Sequence, residues 1–326
     1  MEVLIIIIIL IIVIIIVVAI VYCIYSRQKY LWYCSMNEVK PMGICLGDVV
    51  LEEPFIPPNN FCLNKDRIIV VSGSINMNKN SNSSNKGGGR EYSKLSHKRL
   101  KDYCDFHGYD LFYFNDYIDK NYYVMWQKIL ALKKVLNNGN HDYAMWIDDD
   151  IYITNFSVKI EDFINAEDNR NYCYGDSESN NEGSNDIILS RDIVEKSDLF
   201  LNSGTMIIKN SEIGKTFLDK IINGYELFEG YFKENLFHEQ TIMTYIYFKE
   251  YTNIAKVLPH RVMQSFYKDR IWQPNDFGIH FAGYSIETRN RCMKILDKDK
   301  NFVKINNRIY PRNLSIYDIC NPELST

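Results

Sequence analysis

The sequence predicts an α/β domain with a mostly parallel central sheet flanked by helices, preceded by one N-terminal transmembrane helix. Three observations support this prediction. Short apolar runs alternate with longer helical patterns, which is typical of parallel sheets with helices on both faces. In the run 144–150, four apolar residues end abruptly in three aspartates. The first part of the chain is a long stretch without charge, rich in Ile and Val.

Length and composition exclude some classes of protein. The 326 residues can form one large domain or two small ones. The net charge of −4 lacks the basic footprint that nucleic-acid binding requires, so we expect no nucleic-acid partner. The eight cysteines include no CxxC pair, which argues against a structural zinc site and leaves the redox compartment open.

Residues 1–26 are predicted to form a single-pass membrane anchor. No side chain in 3–26 is charged, and this length exceeds the roughly 20 residues that a helix needs to span a bilayer. The stretch also lacks the small-residue cleavage site of a signal peptide. In a eukaryotic or viral host this would be a Golgi/ER-type type II anchor. The flanking Arg27 and Lys29 favour the opposite orientation, so the orientation stays open.

The rest of the chain divides into three parts. Residues 27–64 contain four prolines and no helical period, which predicts a stem or linker. Residues 65–312 are predicted to form the folded domain, and 313–326 a C-terminal tail. Within the domain, the Asn/Ser/Gly/Lys tract Asn76–Arg90 lacks the apolar residues of a core and is interpreted as an insertion.

Within the domain, strands are predicted at the apolar runs and helices at the longer periodic segments. Gly108 follows the helix 91–107 at the position where glycine commonly ends a helix. The predicted strands are 67–73, 109–115, 144–147, 187–189, 200–208 and 277–281. The predicted helices are 91–107, 125–136, 213–228 and 239–248.

The three aspartates predict a cation site. In open α/β sheets, ligands bind beyond the carboxyl ends of the strands. Asp148 and Asp150 stand two residues apart, so on an extended segment their side chains point the same way. Carboxylate oxygens suit Mg²⁺ or Mn²⁺, and such an ion would bind a diphosphate. The alternative is a solvated acidic turn that closes the strand.

Several further motifs stand in a fixed order along 66–285. They are the segment 101–110, Trp126-Gln127-Lys128, the segment 146–150 with Thr154-Asn155, Asn202-Ser203-Gly204, Glu239-Gln240 and His280-Phe281-Ala282-Gly283. In this order they resemble glycosyltransferase family 34, the galactosyl/xylosyl/mannosyl transferases, which have a GT-A fold. The chain departs from the family at Tyr284-Ser285, where many members have Cys, and in the tract at 76–90.

The resemblance implies a membrane-anchored, divalent-metal-dependent, retaining glycosyltransferase. It would move a hexose or pentose from a nucleotide sugar, with a UDP-sugar favoured, to a glycan or glycoconjugate acceptor. Asp148, Asp150 and His280 would hold the metal, with Mn²⁺ preferred and Mg²⁺ second because the set combines imidazole with carboxylates. For His280, the alternative is a hydrogen-bonded core histidine.

The resemblance also implies a catalytic group. Gln240 would lie beside the anomeric carbon with Glu239 next to it, and Lys128 would be a cation near the diphosphate or the acceptor. The alternatives are a pair of residues that merely begins a helix and a solvated lysine. Because Gln240 is not a carboxylate, front-face displacement is favoured over a double displacement through a covalent intermediate.

The remaining expected contacts bind the donor. Val71 and Ser72 would meet the nucleoside base through backbone groups, and Asp149 would contact the ribose or the backbone. Asn202 and Gly204 would hold the transferred sugar, unless they only form a tight turn. One alternative function stays open, a catalytically inactive, membrane-tethered relative that binds glycans or nucleotide sugars. The oligomeric state is also open, with a homodimer as one option.

Overall fold

The computed structural model describes residues 67–75, 90–166, 184–193, 200–227, 238–267, 271–273 and 276–298. The predicted anchor, stem and C-terminal tail lie outside these residues, as do residues 76–89 of the tract. Among the helices within these ranges, none combines the length and the apolar character that a membrane crossing needs.

Strands and helices alternate along the described chain. The strands are β1 (Ile68–Gly73), β2 (Asp110–Phe114), β3 (Tyr143–Ile147), β4 (Ile151–Ile153), β5 (Ser184–Arg191), β6 (Leu201–Lys209), β7 (Ala255–Leu258), β8 (Ser265–Phe266) and β9 (Gly278–His280). The α-helices are α1 (Glu91–His107), α2 (Gln127–Asn137), α3 (Ile160–Ile164), α4 (Glu212–Asn223), α5 (Tyr225–Leu227), α6 (Glu239–Ile246) and α7 (Ile286–Lys298). A 3₁₀ turn, Val124–Trp126, precedes α2, and a π-helical turn, Tyr247–Tyr251, follows α6.

Six of these strands form the central sheet of the described chain, in the order β2-β1-β3-β6-β5-β7. The pairs β1–β2, β1–β3 and β5–β7 are parallel. Strand β6 runs antiparallel to both of its neighbours, β3 and β5. The predicted α/β class is confirmed, whereas the sheet is mixed rather than mostly parallel, because the chain enters β6 from the opposite end.

The direction of β6 brings several segments to one edge of the sheet. The carboxyl ends of β1, β3 and β5 meet there. The start of β6 lies at the same edge, because Thr205 pairs with Ile147 at the end of β3 and Asn202 pairs with Ser190 in β5. Ligands of open α/β sheets bind at this edge. The predicted motifs at 148–150 and 202–204 are therefore neighbours.

A smaller sheet of the described chain, ordered β4-β9-β8, begins directly after the three aspartates. Its strand β4 begins directly after Asp150 and pairs antiparallel with β9, with Ile151 opposite His280. The Phe281 N–H also donates to the Asp150 carbonyl at 3.1 Å. This pairing places His280 beside the aspartates.

Helix α1 packs against both sheets because its apolar side chains follow the helical period. Its buried face includes Tyr92, Leu100, Tyr103 and Cys104. Gly108 ends the helix with a φ of 76°, and its N–H donates to the Cys104 carbonyl, as the sequence predicted. One cluster of buried side chains lies against the central sheet, and a second joins the small sheet to α1 and α7.

Most of the predicted elements agree with the observed ones. Strands β4, β7 and β8, the short helix α3 and the 13-residue helix α7 were not predicted. The helix predicted over 213–228 is interrupted at Gly224, between α4 and α5. A Cβ at this position would lie 2.4 Å from the Ile242 side chain, so only glycine fits without a clash. The short strands carry too few residues to show a period of two.

Candidate active site

The three aspartates form a turn between β3 and β4 rather than the extended segment that the sequence predicted. The Ile151 N–H donates to the Asp148 carbonyl at 3.1 Å, which closes the turn. The Asp148 N–H donates to the Gly204 carbonyl at 2.9 Å, so the turn is attached to β6. The side chains of Asp148 and Asp150 still converge, because the turn brings their positions together.

Asp148, Asp150 and His280 each offer a ligand atom, and these atoms lie within 4.8 Å of one another. The His280 Nε2 is 3.1 Å from an Asp150 oxygen, and both side chains are buried. The other ring nitrogen of His280 is buried without a hydrogen-bond partner among the described residues. Two carboxylates and one imidazole fit a divalent cation such as Mn²⁺.

Asp150 has a second partner that the sequence did not predict. Its other carboxylate oxygen lies 2.7 Å from a guanidinium nitrogen of Arg289, in α7. Burial raises the pKa of Asp150, but His280 and Arg289 outweigh it and hold the pKa well below its ordinary value. Asp150 is therefore a stable anion at this position.

Lys128 joins the acidic turn to the Glu239-Gln240 pair. Its ammonium nitrogen lies 2.9 Å from an Asp148 oxygen and 3.1 Å from a Glu239 oxygen. It also donates to the Ser203 carbonyl at 3.2 Å. Burial lowers the pKa of Lys128, yet the charges of Asp148 and Glu239 raise it above its ordinary value. The lysine is a buried, charged centre of the cluster, not a solvated surface residue.

Both members of the Glu239-Gln240 pair are anchored to Ser203 at the start of β6. The Ser203 hydroxyl donates to Glu239 at 2.8 Å, and the Ser203 N–H donates to the Gln240 side-chain oxygen at 3.1 Å. Glu239 is 2% exposed, so the same carboxylate that pairs with Lys128 is almost removed from solvent. Contacts with Lys128 and Ser203 thus hold Glu239 at the base of the site.

Asn202 and Gly204 stand at the start of β6, next to the candidate metal ligands Asp148, Asp150 and His280, which are called the metal-ligand set below. The Asn202 side-chain oxygen accepts from the Gly204 N–H and from Gln264 Nε2, both at 2.8 Å. A Cβ at Gly204 would lie 2.6 Å from His280 and from Gln264. Glycine is required here because two side chains pack directly on the backbone.

The sequence pattern of the galactosyl transferase GMA12/MNN10 family matches residues 64–292, which is more than half of the chain. The chain belongs to this family. It is therefore a glycosyltransferase, and the resemblance found in the sequence motifs is confirmed. None of the curated proteins matches the chain.

Three solved structures are similar to this glycosyltransferase at low sequence identity. A glycosyltransferase involved in the glycosylation of the major capsid of PBCV-1 is 14% identical, over 70% of this chain and 99% of that one, with a TM-score of 0.48. The galactosyltransferase LgtC, in complex with donor and acceptor sugar analogs, is 11% identical over 66% and 87%, with a TM-score of 0.38. GlyE of Streptococcus pneumoniae TIGR4 is 13% identical over 60% and 45%, with a TM-score of 0.34.

In this glycosyltransferase, Asp149 is not one of the residues whose ligand atoms converge. It is part-buried, and one of its carboxylate oxygens has no hydrogen-bond partner among the described residues. Burial raises the pKa of Asp149 to about 6, and the charge of Asp150 adds to the shift. An unpaired buried oxygen is costly, so a ligand that donates a hydrogen bond here would be bound favourably.

Val71 and Ser72 lie near the carboxyl end of β1, at the same edge of the sheet, and both are buried. Val71 pairs with Trp146 in β3, two residues before the acidic turn. The two residues are therefore close to the turn, and their contact with a nucleoside base stays a prediction.

Sequence reasoning missed four residues of the site, namely Asp192, Ser203, Gln264 and Arg289. Ser203 lay inside a motif that was recognised for its neighbours. The other three stand outside the motifs, in segments whose position depends on β5, β8 and α7. Their polar character alone does not distinguish them from surface residues.

His238 immediately precedes Glu239 and has a φ of 55°, a backbone conformation that residues other than glycine rarely adopt. Among the described residues it is the non-glycine residue with positive φ. Such strain is typical of functional sites. The sequence had given His238 no role.

Proposed function

We propose that this glycosyltransferase moves a hexose or pentose from a nucleotide sugar to a glycan or glycoconjugate acceptor, with retention of anomeric configuration. A UDP-sugar is the favoured donor and Mn²⁺ the favoured cation, with Mg²⁺ second. The observation that carries the proposal is the convergence of Asp148, Asp150 and His280 at the sheet edge where Gln240 also lies.

The charges of the site support a diphosphate-bearing donor. A divalent cation held by the three ligands would act as a Lewis acid that neutralises the negative charge developing on the leaving diphosphate. Lys128 and Arg289 already balance part of the acidic charge through their ion pairs with Asp148 and Asp150. A cation and an anionic diphosphate can therefore enter together without leaving a large unbalanced charge.

The contacts that fix the Glu239 side chain favour front-face displacement. A double displacement needs a carboxylate that is free to attack the anomeric carbon. Glu239 is instead held by Lys128 and Ser203 and is almost fully buried. In the proposed reaction the acceptor hydroxyl forms the new bond on the face from which the diphosphate leaves, and its proton passes to a leaving phosphate oxygen. Gln240 would orient the sugar.

Membrane anchoring is a separate part of the proposal. We propose that residues 1–26 hold the enzyme in a membrane as a single-pass helix, because this stretch is uncharged and long enough to span a bilayer. The full chain should stay in the membrane pellet after alkaline carbonate extraction, and release into the supernatant would contradict this. Protease protection in sealed vesicles would determine the orientation.

The reaction can be tested on the full chain in detergent with UDP-glucose, UDP-galactose, UDP-xylose and GDP-mannose. We expect Mn²⁺ to support nucleoside diphosphate release from one UDP-sugar and EDTA to abolish it. The variant Asp150→Ala should lose this activity, while Asp219→Ala, at a surface ion pair in α4, should keep it. Release that EDTA does not affect would contradict metal dependence, and no release from any donor would favour a binding protein.

A further inference from the structure

Asp192 lies at the catalytic edge of the sheet, although no recognised motif includes it. It directly follows β5, and its backbone N–H donates to the Phe200 carbonyl at 2.9 Å, just before β6 begins. Its side chain is only partly exposed to solvent. The position is therefore defined by the pairing of β5 with β6.

One carboxylate oxygen of Asp192 accepts hydrogen bonds from two side-chain amides. Asn202 Nδ2 donates to it at 2.7 Å, and Gln240 Nε2 donates to the same oxygen at 3.3 Å. A carboxylate oxygen accepts two such bonds through its two lone pairs, and its charge strengthens them. Asp192 thus connects two residues that are expected to contact the transferred sugar.

These contacts determine which end of each carboxamide faces which partner. The two ends of a carboxamide have nearly the same shape, so the hydrogen-bond partners decide its orientation. The Gln240 oxygen accepts from the Ser203 N–H, and its nitrogen donates to Asp192. The Asn202 oxygen accepts from the Gly204 N–H, and its nitrogen also donates to Asp192.

We propose that Asp192 is a positioning residue for sugar transfer. It fixes the amide nitrogens of Gln240 and Asn202, so that the second N–H of each is presented to hydroxyl groups of the transferred sugar. Without Asp192 each carboxamide keeps only the hydrogen bonds at its oxygen, so its nitrogen loses a fixed acceptor and the donors that face the sugar are held less precisely. This inference rests on the proposed function, since it assigns Asp192 a role in the same reaction.

The test compares four versions of the full chain: wild type, Asp192→Ala, Gln240→Ala and the double variant. We expect Asp192→Ala to lower kcat about 100-fold, because small displacements of positioning groups have effects of this size. The Kd for UDP with Mn²⁺ should not change, because Asp192 acts through Asn202 and Gln240, which are expected to contact the sugar rather than the diphosphate. In the Gln240→Ala background, the Asp192 substitution should cause a much smaller loss, because the two residues act together.

The conservative variant Asp192→Asn keeps an oxygen that can accept both amides, so it should recover much of the lost kcat. Thermal unfolding of each variant detects any loss of structure. Wild-type kcat in Asp192→Ala, or an equal fold-loss in both backgrounds, would overturn the inference. A wild-type chain without metal-dependent activity would instead refute the proposed function, so the two failures are distinguishable.

Discussion

The ammonium nitrogen of Lys128 lies 2.9 Å from a carboxylate oxygen of Asp148. The same nitrogen reaches Glu239, so one buried cation connects the acidic turn after β3 with the start of α6. Trp146 Nε1 also donates to the Asp148 oxygen at 2.6 Å. These contacts use one oxygen of Asp148, and its second oxygen is therefore available to a metal ion.

Replacing Lys128 by Met should destabilise the protein by about 3–5 kcal/mol, the typical cost of leaving a buried charge without its partner. The charge in question is that of Glu239, which is 2% exposed. Urea unfolding measures the change. Lys133→Met removes a half-buried lysine from its pair with Asp219, which water can still reach, and should cost less than about 1 kcal/mol. Equal effects of the two substitutions would contradict the role of burial.

Replacing His280 by Ala should weaken the binding of Mn²⁺ at least about 100-fold. Loss of a residue that only hydrogen-bonds to a metal ligand lowers metal affinity about 10–100-fold, and loss of a ligand itself should cost more. Titration of Mn²⁺ into the full chain, followed by electron paramagnetic resonance of the free ion, measures this affinity. His141→Ala, in a histidine paired with Asp110 away from the site, is the matched control. Unchanged Mn²⁺ affinity in His280→Ala would exclude the imidazole as a ligand.

Asp149 should select ribonucleotides, because its unpaired buried oxygen can accept a hydrogen bond from a ribose hydroxyl. We expect the wild type to bind UDP about 10-fold or more tightly than 2′-deoxy- or 3′-deoxy-UDP, since hydrogen bonds to charged groups are worth about 1.5–3 kcal/mol. Asp149→Ala should bind them equally, and Asp149→Asn, which keeps an acceptor oxygen, should retain part of the preference. Calorimetry gives the affinities. Persistent discrimination in Asp149→Ala would place the ribose elsewhere.

Replacing Gly204 by Ala should disturb the metal-ligand set. The new Cβ would lie 2.6 Å from His280 Cε1 and from the Gln264 side-chain oxygen, which forces both side chains to move. We expect Mn²⁺ affinity to fall by about 10-fold or more, as for other losses of ligand orientation. Gly139→Ala is the control, because a Cβ there meets nothing within 4 Å although its φ is positive. Unchanged Mn²⁺ affinity in Gly204→Ala, or an equal loss in Gly139→Ala, would contradict the packing explanation.

Cys104 should make stability depend on pH in the alkaline range. Burial raises the pKa of its thiol from 9.0 to about 12, and the charge of Asp105 adds to the shift. The folded state holds the proton more tightly, so the stabilising contribution is present below pH 9 and is lost as pH rises toward 12. Between pH 8 and 10 the wild type should lose about 1 kcal/mol more than Cys104→Ala in urea unfolding. Parallel pH profiles would contradict a buried thiol.

Local sequence patterns were sufficient for much of the fold. The apolar run at 144–147 and the helix ended by Gly108 were predicted correctly, because burial and backbone conformation act over a few neighbouring residues. The membership of Asp148, Asp150 and His280 in one site was predicted through the resemblance of motifs in their order along the chain. Nothing in their spacing alone places His280 beside the aspartates.

The tertiary structure decided how these pieces meet. Strand β6 runs antiparallel to β3, which brings Ser203 under Glu239-Gln240, and β9 pairs with β4, which brings His280 to Asp150. Asp192 enters the site for the same reason, through the pairing of β5 with β6. Strand pairing joins residues that are distant in the chain, and hydrogen-bond partners across strands leave no local pattern. The sequence by itself identified the family and predicted Asp148, Asp150 and His280 as metal ligands, and long-range pairing determined the hydrogen-bond network around them.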